Sequence, residues 1–163
     1  MPKSSVTHYS HIPVLLQQAI TFLNPQAGDQ FIDATLGGAG YTKALLEKVV
    51  SNSKSGTVLA IDLDRAALDN AQANFATEVK NKNLILVHGN FAQIDKFVET
   101  HKEVYGFNAI DGIVADIGLS SFQLDQSDRG ITFQKKEPLD MRFDLSSNEP
   151  DSRFMLNEYS EQE

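Results

Sequence analysis

The 163-residue chain contains no cysteine, which excludes disulfides and thiolate metal ligands. No apolar run approaches the length of a membrane span. The opening stretch MPKSSVTHYS lacks the apolar core of a signal peptide, so a cytoplasmic home is the expectation. Positive charge is scarce: 14 Lys and Arg stand against 22 Asp and Glu, a formal net charge of −8. That balance argues against a protein that grips nucleic acid mainly by electrostatics. It leaves room for an enzyme with a local basic patch, and Arg129, Lys135, Lys136 and Arg142 do cluster, although a solvated basic loop reads the same way. The four histidines, His8, His11, His88 and His101, show no metal-like spacing, and no catalytic metal is expected. Internal repeats and low-complexity tracts are absent as well.

What is present is an alternation of strand-like and helix-like segments. HIPVLLQQAITFL places Pro13 near a first helical turn, with Leu15, Leu16, Ala19, Ile20 and Leu23 on one face and Pro25 closing it. QFIDAT reads as a first strand, and 41–50 as a helix with Tyr41, Ala44, Leu45 and Val49 on one side. TVLAID is apolar until Asp62, as a strand buried on both faces should be. Asp64 is placed to cap a helix that buries Leu68, Ala71, Phe75 and Val79. LILVHG follows as a third strand, then Asn90 and Gln93 as a capping box for a helix carrying Phe91, Ile94, Phe97 and Val98. DGIVADIG is a fourth strand ending at Asp116. From Gly118 to Pro150 no period is evident, and SRFMLNEYSEQE reads as a helix cut short. The pattern predicts an α/β fold with a parallel sheet, right-handed crossovers, and a ligand at the carboxyl ends of the strands.

Those ends carry Asp33, Asp62 and Asp116, and the first is followed by Gly37, Gly38 and Gly40. A dinucleotide loop needs G-x-G-x-x-G; counted from Gly38 the third glycine is replaced by Lys43, so the match fails. The other candidate ligand is S-adenosyl-L-methionine, which has no phosphate. A glycine turn lets the backbone pass close to it, and a helix N-terminus favours its carboxylate. Asp33 is placed to engage its ammonium and Asp62 its ribose hydroxyls. The alternative is a tight strand-to-helix turn with a helix-capping acid.

The block DIGLSSFQLDQSDRGITFQKKEPLDMRFD (116–144) is long, ordered and specific. Together with HIPVLL (11–16), DATLGGAGYT (33–42), AIDLD (60–64) and HGNF (88–91), it resembles the bacterial RsmH (MraW) family, methyltransferases of cytosine N4 in 16S ribosomal RNA. The resemblance implies a class I, Rossmann-like methyltransferase sheet with helices on both faces. It further implies S-adenosyl-L-methionine as cofactor, with contacts on Ala39, Gly40, Tyr41, Asp62, Phe91, Asp116 and Gln123, and small-subunit ribosomal RNA as partner. Ala39 stands where the family usually has glycine, and Tyr41 where it usually has histidine. Family members continue through a helical insertion and further strands. The chain is therefore expected to be incomplete at the C-terminus, divided as an N-terminal helical segment (1–24), a cofactor-binding core (25–122) and the start of an insertion domain (123–163).

Cytosine's exocyclic amine is a poor nucleophile, so an acceptor on its N–H would localise the lone pair and take the proton. Asp116, or a backbone carbonyl in 117–121, is the first candidate and Asp140 the second. Phe122 and Phe133 are candidates to stack on a base taken out of its helix, and Arg129 and Arg142 to hold phosphates. Ordinary packing of the aromatics, and internal ion pairs to Asp125, Asp128 or Asp140, are the rival readings. Two other functions compete: a small-molecule or protein methyltransferase, and a catalytically inactive cofactor- or partner-binding remnant with unpaired strand edges.

Overall fold

A computed structural model of the chain describes residues 13–125 and 127–160. The expectations that rest on His8, His11 and the start of the 11–16 motif lie outside the described residues. Four strands, β1 (Gln30–Asp33), β2 (Thr57–Asp62), β3 (Leu84–His88) and β4 (Gly112–Val114), form one parallel sheet in the order β3-β2-β1-β4. In the register, Phe31 faces Val58, which faces Leu84, while the next residues Ile32, Leu59 and Ile85 align on the opposite side. Because side chains alternate along a strand, each row feeds a different core.

The order of the strands decides where the helices go. From β1 to β3 the chain steps in one direction, so right-handed crossovers place α2 (Gly40–Val49), α3 (Arg65–Asn74) and α4 (Ala76–Lys80) on one face. The return from β3 to β4 reverses direction and puts α5 (Ile94–Tyr105) on the other, where Ile94, Phe97 and Val98 cover Ile32, Leu59 and Ile61. Helix α1 (Leu16–Leu23) also packs on the first face through Leu16, Ala19, Ile20 and Leu23. The reversal leaves a crevice between the tips of β1 and β4, the switch point at which such sheets bind ligands.

Local chemistry adjusts several sequence expectations. Leu15 precedes the first helix and is exposed rather than on its buried face. The helix expected to run from Asp64 through Val79 breaks at Phe75, whose backbone leaves the helical region (φ −119°, ψ 33°). Asn90 accepts from the amide of Ala92 and opens a 3₁₀ turn (Phe91–Gln93), so Gln93 sits at the cap of α5 rather than three residues inside it. Strand β4 stops at Val114, because the amide of Asp116 turns to donate to the Thr35 hydroxyl at 2.6 Å. Among the described residues between Gly118 and Pro150 only a short helix, α6 (Ser121–Asp125), forms, and a boundary drawn after residue 122 would cut it. Helix α7 (Ser152–Glu158) is capped by Asp151, which accepts from Phe154. None of the helices is long and apolar enough to cross a membrane, among the described residues.

Candidate functional site

The crevice holds a cavity of about 630 Å³, within the usual range for a small-molecule site. Its inner wall grows from the tips of β1 and β2. After Asp33 the chain makes a turn that uses a positive φ at Gly37 (45°) and again at Ala39 (61°) before entering α2. Gly37, Gly38 and Gly40 line the cavity with bare backbone, and α2 points its N-terminus toward it. Ala39 does not line it: its methyl is buried in the core cluster, and its backbone holds a left-handed conformation that glycine would adopt without strain.

The two strand-end carboxylates of this wall have different surroundings. Asp62 lies at the cavity surface and fastens the turn, accepting from the amides of Gly37 (2.8 Å, Oδ2) and Asp64 (2.8 Å, Oδ1). Each carboxylate oxygen keeps a lone pair for a ligand. Burial raises its pKa, partly offset by those amides. Asp33, expected to meet a ligand's ammonium, is instead sealed behind the turn at 1% exposure. It accepts from the Thr42 hydroxyl (2.6 Å) and the Thr35 amide (3.1 Å), and burial pushes its pKa up from 3.8 to about 6. Its part is to hold the turn from within. Tyr41 lines the cavity; burial first, then the charges of Asp116 and Asp33, raise its phenol further.

The outer wall comes from the segment that shows no period in the sequence. Asp116 is solvent-exposed at the cavity, its backbone pinned by Thr35, and Gln123 is buried in α6 with its side-chain oxygen accepting from the Ser120 amide at 2.9 Å. Phe91, 40% exposed, and Phe143 also line the cavity. Sequence reading missed Thr35, which joins β1 to the exit of β4, and Phe143; the DAT triplet after the first strand was the available signal for Thr35. No Lys, Arg or His lines the cavity among the described residues, whereas Asp62 and Asp116 both do. Such a lining disfavours a pyrophosphate and favours a ligand carrying positive charge.

Three further expectations are corrected by the geometry. Arg129 is 5% exposed and pairs with Asp64 at 2.9 Å, not with Asp125, Asp128 or Asp140, so it is not available to a phosphate. Arg142 forks onto Asp140 (2.8 and 2.9 Å) and donates to the carbonyls of Ser147 and Glu149, so most of its donors are spent within the protein. Asp140 is held below the usual carboxylate range by that hydrogen bond and does not line the cavity, so the structure does not bring it to the pocket that Asp116 lines. Phe122 is half-buried in α6, and Phe133 is fully exposed. Lys135 reaches the carbonyl of Asp125. His88 pairs with Asp144 at 3.3 Å, and His101 bonds the Phe97 carbonyl within its own helix.

Residues 8–163 match the MraW methylase family. Among curated proteins, the chain is 45% identical over 154 residues to "Ribosomal RNA small subunit methyltransferase H" of Thermomicrobium roseum, covering 94% of this chain and 44% of that protein. It is 43% identical over 133 residues to the protein of the same name from Granulibacter bethesdensis, covering 82% and 37%. The Lactobacillus delbrueckii relative, again so named, is 39% identical over 158 residues, covering 95% and 48%. The chain thus spans less than half the length of these curated relatives.

Proposed function

The chain belongs to the MraW methylase family, and from that premise we propose that it forms the cofactor-binding part of an S-adenosyl-L-methionine-dependent methyltransferase acting on cytosine N4 in small-subunit ribosomal RNA. The observation that carries the cofactor is the lining: two carboxylates, a bare glycine turn at a helix N-terminus, and no basic side chain among the described residues. S-adenosyl-L-methionine bears a sulfonium and an ammonium and supplies the methyl group when bound. The cytosine-N4 target rests on the resemblance of the 116–144 block, and the RNA substrate on that resemblance and on the names of the relatives.

In this reading Asp62 accepts the ribose hydroxyls with the lone pairs its backbone partners leave over. Gly37, Gly38 and Gly40 admit the amino-acid end, and the α2 N-terminus faces its carboxylate. Phe91 and Gln123 flank the base, and Tyr41 contributes shape rather than proton transfer, because its phenol is raised further from neutrality. Asp116 stands at the mouth with its backbone fixed by Thr35, placed to accept the N–H of an incoming amine and then its proton. Positioning of the amine supplies much of the remaining rate.

The test is a calorimetric titration of this chain with S-adenosyl-L-methionine, then a methyl-transfer assay on small ribosomal subunits from cells lacking the modification, with Asp116→Asn alongside. Binding with transfer to cytosine N4, lost in Asp116→Asn while binding persists, is expected. Absence of binding would reject the cofactor. Binding without transfer would assign these residues cofactor binding only.

A further inference from the structure

Asp64 is 2% exposed and carries more bonds than a helix cap requires. Its Oδ1 accepts from the Ala66 amide, capping α3, and from Arg129 Nη2 at 2.9 Å. Its Oδ2 lies 3.5 Å from Gln123 Nε2. Its own amide donates to Asp62 at 2.8 Å. Arg129 spends its other terminal nitrogen on the Phe143 carbonyl at 2.8 Å, and its backbone carbonyl accepts from Met141 at 2.8 Å. Asp64 and Arg129 are 65 residues apart in the chain, yet between them they touch Asp62 on the inner wall and Gln123 and Phe143 on the outer wall. Neither lines the cavity.

We propose that Arg129 is a positioning residue: its buried pair with Asp64 clamps the outer wall against the tip of β2 and so sets the width of the pocket. The inference deepens the cofactor reading and rests on it for the identity of the ligand. The chemistry requires a guanidinium, since only a planar fork reaches a carboxylate and a carbonyl at fixed angles together; an ammonium is a single point of charge. A buried pair of this kind adds little net stability over an apolar pair, yet it fixes register because its directions are specific.

The test uses two variants. Arg129→Lys keeps the charge and loses the fork. Asp64→Asn/Arg129→Met removes both charges, retains a capping oxygen on α3, and leaves no buried charge unpaired, so it is expected to fold even if the first variant does not. Each is titrated with S-adenosylhomocysteine, and amide hydrogen exchange is followed across 119–143 and across β1 and β2. The clamp predicts affinity weakened about tenfold and faster exchange confined to 119–143, with the double variant's thermal midpoint near that of the parent. Parent-level affinity in a folded double variant would overturn it, since a merely structural pair is replaceable. Should the parent itself bind neither S-adenosylhomocysteine nor S-adenosyl-L-methionine, the cofactor reading fails. The clamp is then judged on exchange alone: faster exchange in 119–143 supports it, and unchanged exchange rejects it.

Discussion

The inner wall of the pocket, at the tips of β1 and β2, is tied down by backbone amides within a parallel ladder and by two strand-end carboxylates. Among the described residues the outer wall, 116–144, has no ladder; side-chain bonds hold it, two reaching far along the chain, Arg129 and Gln123 to Asp64, and others local, Gln123 to Ser120 and Glu137 to the Gly130 amide. A ladder spreads its stability over many equivalent bonds, whereas the outer wall concentrates it in a few. The two should therefore differ in how they fail. Damage to the inner wall is damage to the whole sheet; damage to the outer wall is local opening.

Two glycine substitutions test that difference at its largest. At Gly56, just before β2, a Cβ would stand 2.5 Å from the Asp29 carbonyl oxygen and 2.6 Å from the Val49 Cβ, in the core itself. Gly56→Ala should cost about 3 kcal/mol of global stability, at the upper end for overpacking, read as a lowered urea midpoint with unchanged slope. Gly130, at φ +74°, is constrained as tightly, since a Cβ would run into the Pro138 carbonyl oxygen. Gly130→Ala should nevertheless leave the urea transition of the sheet near its parent value and raise amide exchange only in the outer wall. If it lowers protection across β1 and β2 as much as Gly56→Ala does, the walls are one cooperative unit and the distinction is lost.

The same division explains what the sequence disclosed. Short apolar runs at QFID and TVLAID identified the strands, because a ladder buried on both faces constrains every residue in it. The glycine turn and Asp62 were legible for the same reason, as they sit at the ends of those runs. Asp33 was legible as a strand-end acid, but its direction was not: whether it faces the cavity or Thr42 depends on the turn's φ values. Arg129 was visible only as a charge near Asp125, Asp128 and Asp140. Its partner Asp64 is far off in sequence, and no local pattern encodes a contact of that range.

Asp33 offers a smaller, pH-dependent contrast with Asp62 inside the inner wall. Its folded pKa is raised to about 6 from 3.8 by burial, so the folded protein holds a proton that the unfolded chain releases. Stability contributed by the protonated carboxyl is complete below the unfolded value and is lost as pH rises through the folded one. Linkage gives a loss of about 2 kcal/mol between about pH 4.5 and about pH 7. Asp33→Asn should lack that slope, so subtracting its urea stability from the parent's at the two pH values isolates it. An identical slope in both proteins would mean that Asp33 titrates as an exposed acid, and that the turn is not sealed.

The smallest expected effect on stability belongs to Phe133, in the outer wall between Thr132 and Gln134, whose ring is fully exposed. Removing it forfeits no packing, so Phe133→Ala should change the urea stability by no more than about 0.5 kcal/mol. A ring held in water beside Lys135 and Lys136 is instead suited to stack on a base while cations meet the backbone. If it does so, the variant should weaken binding of a short small-subunit RNA by about 1–3 kcal/mol, leaving affinity for S-adenosyl-L-methionine unchanged. Loss of both affinities together would show that the tip supports the pocket rather than the RNA. Unchanged RNA binding would return Phe133 to the status of a surface residue.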